Sequence, residues 1–214
     1  MSALLAGLTI LVIGDSHMAE PEYLISRLHD ALASRGAIVH SYGACGLPAG
    51  DWMRKKRSSC GSAMRSGTGN TEVFSGKEGS TTPYAELHRA TRPDLVIVVI
   101  GDAMGDYMKP DLPKAWIWQQ VTALTKGIKE SNAPCIWVGP PWGTGGRFGK
   151  TFERVSAFSG YLADIVAPCQ YVDSTKFSNP GDWPTIDGLH FTSPGYQAWS
   201  EAIAKAAVTI RGKK

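Results

Sequence analysis

Asp187-Gly188-Leu189-His190 is a short run whose residue types and spacing can carry acid–base chemistry. An Asp three residues before a His can come from the same tight turn, hold the imidazole in one tautomer and stabilise its cation. Gly14-Asp15-Ser16-His17, near the other end of the chain, offers the complement. A serine hydroxyl is a poor nucleophile until an adjacent base takes its proton. Ser16, His190 and Asp187 together supply nucleophile, base and orienting acid. Either run alone is weakly specific. The pair gains force because Ser16 follows Leu8 to Ile13, an apolar run that reads as a buried strand. The competing reading of Ser16 is a helix N-cap, with acidic Glu20 at helix-start spacing. Asp173 and Asp182 are alternative orienters for His190. His29, His40 and His88 fall in or near expected regular elements, without an Asp three residues before them. His17, beside the serine, is expected to touch substrate rather than to serve as its base. Asp15 is expected to bond backbone in the nucleophile turn.

The elements that must position these residues alternate in type. Strands are expected at Leu8 to Ile13, Ile38 to Tyr42, Asp94 to Ile100, Pro134 to Val138 and Gln170 to Val172. Helices are expected from Tyr23 to before Gly36, over Trp116 to Lys129, over Phe152 to Val166, and from Pro194 to Ile210 with Ser193 as N-cap. Leu95 to Ile100 is apolar at every position, as a strand buried on both faces should be. This alternation argues for an α/β fold, a doubly wound parallel sheet with helices on both faces. In such sheets ligands sit at the carboxyl ends of the strands. Ser16, Gly43, Ala103 and Trp142 fall just past expected strand ends, and the His190 loop follows the last strand. Residues 44–92 are too long for a simple connection; only Tyr84 to Ala90 looks helical. The chain is expected to be one domain, 1–214, with 44–92 as a substrate-facing insertion.

The three runs resemble the SGNH (GDSL) hydrolase family, in the family's order and over nearly the whole chain. Gly14-Asp15-Ser16 is similar to its first block, which carries the nucleophile. Ser41-Tyr42-Gly43-Ala44-Cys45-Gly46 is similar to its second, whose glycine gives a backbone oxyanion donor. Asp187-Gly188-Leu189-His190 is similar to its last, which carries acid and base. The resemblance implies a flavodoxin-like sheet of about five strands. It also implies an oxyanion hole from the N–H groups of Ser16 and Gly43 and from a third-block Asn side chain. That block here reads Gly101-Asp102-Ala103-Met104, and Ala103 occupies the Asn position. A methyl group donates no hydrogen bond. Losing one such donor costs about 2.7–4 kcal/mol, so slow turnover is expected.

Composition narrows the partners. The chain has 214 residues and a net charge of +3, with a basic tail at Arg211-Gly212-Lys213-Lys214. Without a Lys/Arg stripe, nucleic acid is not an expected partner. Arg54-Lys55-Lys56-Arg57 reads as a solvated loop, with an anionic polysaccharide or phosphate site as the alternative. No apolar run reaches the roughly 18 residues of a membrane span, and no signal peptide is read in the chain. Of the four cysteines, Cys45 and Cys60 share one segment, while Cys135 and Cys169 open two apolar runs. Two disulfides pairing them so, or four free thiols, are the alternatives. The disulfides would suit a periplasmic or secreted protein. No metal or cofactor is expected. Trp142 in a Gly-rich loop, Trp52 and Trp183 are expected to offer aromatic faces to sugar, against a core-packing alternative.

The function expected is a serine esterase removing a short acyl group, acetyl above all, from a carbohydrate or cell-surface glycan. A glycan O-acetyltransferase with the same triad and a weakly active glycan-binding relic are the alternatives. The oligomeric state is not readable.

Overall fold

The structure is a computed structural model that describes residues 5–76 and 78–212. Its centre is a seven-stranded sheet. Five strands are parallel: β1 (Thr9–Gly14), β2 (Ile38–Ala44), β5 (Leu95–Val99), β6 (Cys135–Val138) and β7 (Gln170–Val172). Two short antiparallel strands, β3 (Ser62–Ser66) and β4 (Glu72–Phe74), extend the edge beyond β2. The order is β4-β3-β2-β1-β5-β6-β7. The expected count of about five therefore holds for the parallel strands, and the full sheet is wider. Ser-Ala-Met-Arg-Ser and Glu-Val-Phe lack any clear apolar alternation. Pairing of β3 with β2, and of β4 with β3, rather than local pattern, makes them strands.

Helices cover both faces. On one side lie α1 (Leu24–Ala33) and the last helix, α6 (Ser193–Arg211). On the other lie α2 (Tyr84–Thr91), α4 (Lys114–Glu130) and α5 (Phe152–Ile165). A short α3 (Asp102–Gly105) follows β5. Alternation along β1 feeds both layers: Ile10 and Val12 join the α1/α6 core, Leu11 and Ile13 the other. Ser193 lies inside α6 rather than capping it, and its hydroxyl accepts from Arg27. Thr192 stands at the N-cap position, and Pro194 lies in the first turn.

From β1 the chain crosses to β2 on one side, then returns to β5 on the other. This reversal opens a crevice at the carboxyl end of β1. Ser16 begins a 3-10 turn, Ser16–Met18, at that point. Both cysteine pairs are bonded, Cys45 to Cys60 and Cys135 to Cys169, so the four-thiol alternative is set aside. The first bridge pins the root of the 44–92 segment; the second joins the starts of the adjacent strands β6 and β7. Among the described residues no helix is long and apolar enough to cross a membrane.

Candidate active site

Ser16, His190 and Asp187 meet at the crevice. His190 Nε2 lies 2.8 Å from Ser16 Oγ, and His190 Nδ1 lies 2.9 Å from Asp187 Oδ2. The first contact spans 174 positions of sequence. Each member is held from behind. Asp187 Oδ1 accepts from the N–H groups of Leu189 and His190, which closes the Asp-to-His turn. Gly188 has φ +95, and a side chain there would run into the carbonyl of Gly145. The turn therefore needs glycine twice over. The Gly-rich loop after β6 packs directly on it, with Thr144 N–H donating to the Gly188 carbonyl. Gly143 and Gly146 permit this close approach, since a Cβ at either would run into a backbone carbonyl of the Asp187–Gly188 turn.

The Ser16 turn is tied as tightly. Asp15 is buried, and its carboxylate accepts from the N–H groups of His17, Gly101 and Ala103. This is the backbone role expected of it. Gly43 abuts the turn so closely that a Cβ there would fall 1.9 Å from the Met18 carbonyl oxygen. Only glycine lets β2 and the serine turn share that space. Ala103 is half-buried at the end of β5, its N–H spent on Asp15. Asp173 and Asp182 serve other partners, Asp173 binding Ser159 and Thr175, Asp182 binding Asn179.

Burial lowers the pKa of His190, and the neighbouring His17 ring lowers it further; the bond to Asp187 pulls the other way. Burial would raise Asp187, but hydrogen bonds from the His190 ring and two backbone N–H groups bring it down to about 2. The pair at neutral pH is thus a neutral imidazole against a carboxylate. Tyr23 stacks on His190 at 5.2 Å between ring centroids, and Phe148 meets it edge-on at 6.3 Å. Beside Asp187 an open depression of about 820 Å³ is lined by Tyr23, Arg147 and Ile186 among others.

Two of the expected substrate contacts are corrected by burial. His17 is 1% exposed: Nε2 lies 2.7 Å from Asp102 Oδ2 and Nδ1 lies 2.9 Å from the Tyr196 hydroxyl. Trp52 is also 1% exposed, inside the core between the sheet and α4. Neither offers a face to a sugar. Trp142 and Trp183 are half-buried. The Trp142 indole N–H donates to the carbonyls of Thr175 and Ser178, and Trp183 packs edge-on against Phe191.

A buried charged network under the site escaped the sequence reading. Asp102 pairs with Lys150, itself 0% exposed, and accepts from the Tyr107 hydroxyl at 2.6 Å as well as from His17. Burial would raise the Asp102 pKa, but Lys150 and His17 hold it far below the ordinary carboxylate range. Asp102 and His17 lie 85 positions apart, and Lys150 a further 48 along the chain, so no local spacing announces them. Among the described residues no group of three or more His, Cys, Asp or Glu is arranged to hold a metal ion.

No family model matches the chain. It is 40% identical to Protein BcsX of Komagataeibacter xylinus over 210 residues, 97% of this chain and 79% of that protein. Its fold is that of solved esterases. A carbohydrate esterase family 3 protein from Talaromyces cellulolyticus superposes with a TM-score of 0.63 at 14% identity, over 97% of this chain and 99% of the other. A peptidoglycan O-acetylesterase superposes with a TM-score of 0.57 at 13% identity, over 98% and 93%. At that closeness the chain belongs to one family with Protein BcsX, and its fold is the one shared by SGNH-type esterases.

Proposed function

We propose that the protein is a serine esterase that removes a short acyl group, acetyl above all, from a carbohydrate or cell-surface glycan. The observation that carries this reading is the hydrogen-bond chain from Ser16 Oγ through His190 to Asp187, at 2.8 and 2.9 Å. In this reading Ser16 Oγ attacks the ester carbonyl carbon while His190 Nε2 takes the hydroxyl proton. Asp187 stabilises the imidazolium without itself being protonated. The N–H groups of Ser16 and Gly43 receive the negative oxygen of the tetrahedral intermediate. Its collapse breaks the ester C–O bond, and His190 returns the proton to the leaving sugar oxygen. A water molecule, deprotonated by His190, then attacks the acyl-serine and releases the acid. Ala103 leaves the oxyanion one donor short of the family's usual set.

The carbohydrate part of the reading draws support from the fold shared with a carbohydrate esterase and a peptidoglycan O-acetylesterase. We read the chain as one domain, with 44–92 as a wall of the cleft. A cavity of about 150 Å³ between Gly43 and the segment's own Ser62, Phe74 and Ser80 supports that. The two disulfides favour an oxidising compartment, the periplasm or the outside.

A serine-directed fluorophosphonate tests the core claim. It should label the native chain at Ser16, and Ser16→Ala should lose both the label and release of p-nitrophenol from its acetate ester. Label and turnover retained in Ser16→Ala would end the triad reading. No label on the native chain would favour a glycan-binding relic.

A further inference from the structure

If Trp52 is buried and Trp142 and Trp183 are pinned, the question is which aromatic face a sugar would meet. Among the described residues two tryptophans stand well exposed, Trp116 at 39% and Trp118 at 52%, both near the start of α4. A single exposed aromatic needs no explanation. Trp116 differs from Trp118 in its surroundings. It lines a cavity of about 500 Å³ together with Asp102, Ala103, Asp106, Lys109 and Pro113. That volume lies inside the roughly 300–1,000 Å³ range of small-molecule sites.

The cavity adjoins the Ser16 turn through one of its wall residues. Ala103, in its wall, donates its N–H to Asp15, the residue directly before Ser16. The lining is mixed in a particular way. The indole of Trp116, the ring of Pro113 and the methyl of Ala103 are apolar. Asp106 and Lys109 form an ion pair at 2.7 Å, with side chains 35% and 68% exposed. Asp102 is already satisfied by Lys150, His17 and Tyr107. A pyranose has the matching surfaces: a C–H face for an aromatic ring and an edge of hydroxyls for a carboxylate and an ammonium. A long acyl chain would meet two charges and leave them unsolvated, at a cost. The alanine at position 103 also leaves room, since a longer side chain there would project from the cavity wall.

We propose that this cavity is a subsite for a pyranose ring of the glycan whose acyl group Ser16 attacks, with Trp116 as the stacking platform and Asp106 and Lys109 as hydroxyl partners. The proposal rests on the esterase reading for its place in the reaction, but its binding can be read without turnover. In the inactive Ser16→Ala chain, titration with 6-O-acetylglucose should change tryptophan fluorescence saturably, and adding Trp116→Ala should abolish that change. In the active chain, Trp116→Ala should lower kcat/KM for 6-O-acetylglucose relative to p-nitrophenyl acetate by about five-fold or more, the scale of one aromatic contact. The loss should fall mainly in KM. Trp118→Ala, outside the cavity, should leave that ratio alone, and thermal melts should show that both variants fold. A saturable titration that survives Trp116→Ala, or none in the Ser16→Ala chain, overturns the subsite whether or not Ser16 is the nucleophile. So does a Trp116→Ala variant that loses p-nitrophenyl octanoate instead, which would make the cavity an acyl pocket.

Discussion

Two carboxylate–imidazole pairs stand side by side in this molecule, their imidazole rings 5.2 Å apart and edge to face. Asp187–His190 comes from one turn; its side chains are 18% and 15% exposed, and the second ring nitrogen meets the Ser16 hydroxyl. Asp102–His17 comes from the start of α3 and the 3-10 turn after β1; its side chains are 1% and 2% exposed, and the second ring nitrogen meets the Tyr196 hydroxyl. The residue types are the same and the distances nearly so, at 2.9 and 2.7 Å. What differs is access and the third partner. Next to the cleft, a histidine can exchange a proton with a substrate oxygen. Sealed beneath it, with Lys150 balancing the carboxylate, a histidine can only hold structure. His17 follows Ser16 directly, so the sealed pair anchors the Ser16 turn to α3, while Tyr196 ties it to α6.

Removing one carboxylate at a time should break the two pairs in different currencies. Asp187→Asn leaves the turn's shape but favours the wrong imidazole tautomer, and turnover on p-nitrophenyl acetate should fall by about 10⁴. The melting temperature should barely move. Asp102→Asn leaves the Lys150 ammonium buried without its counter-charge, which costs about 3–5 kcal/mol of folding stability. Its melting temperature should fall by many degrees, and turnover per folded molecule should fall far less than in Asp187→Asn. A stable Asp102→Asn chain that has lost turnover by the larger factor would invert the assignment of roles.

The difference between the pairs also explains what the sequence made legible. Asp187 and His190 are neighbours in sequence, and the glycine between them belongs to the turn, so the motif carries its own geometry. The parallel strands were visible because burial on both faces demands unbroken apolar runs such as Leu95–Val99. The Asp102 network was invisible because Lys150 and Tyr107 look like surface residues until the loops close over them. Aromatic exposure was misread for a related reason. Trp52 sits among polar and glycine residues yet is packed under α4, whereas Trp116 was left unweighed. A signal for Trp116 did exist. The buried stripe of α4 runs Ile117, Val121, Leu124 and Ile128, and Trp116 and Trp118 flank it.

Ala103→Asn sharpens the comparison from the oxyanion side. An amide at this position, aimed as in the family's third block, would add one charge-assisted hydrogen bond made chiefly in the transition state. Turnover of p-nitrophenyl acetate should rise by up to roughly 10²–10³, with little change in KM. If position 103 also walls a sugar subsite, the same change should raise KM for 6-O-acetylglucose. Unaltered kinetics on both esters in a folded variant would mean that another donor already serves the oxyanion.

The smallest effect concerns how the sealed pair tunes the open one. The base form of His190 is the neutral ring, so kcat/KM should fall as pH falls through its pKa. Burial first, and the His17 ring second, lower that pKa from the ordinary 6.5; Asp187 opposes them. The acid limb should therefore lie below 6.5, with nothing from Asp187, which stays ionised down to about 2. Replacing His17 by Gln removes one lowering influence and keeps a group able to donate to Asp102. The limb should then move towards higher pH, by less than burial alone imposes. Measuring kcat/KM for p-nitrophenyl acetate against pH in both chains reads this directly. A limb that stays in place would show that the His17 ring, though edge to face with His190, leaves its proton affinity alone, and that the sealed pair affects the open one through the shape of the turn alone.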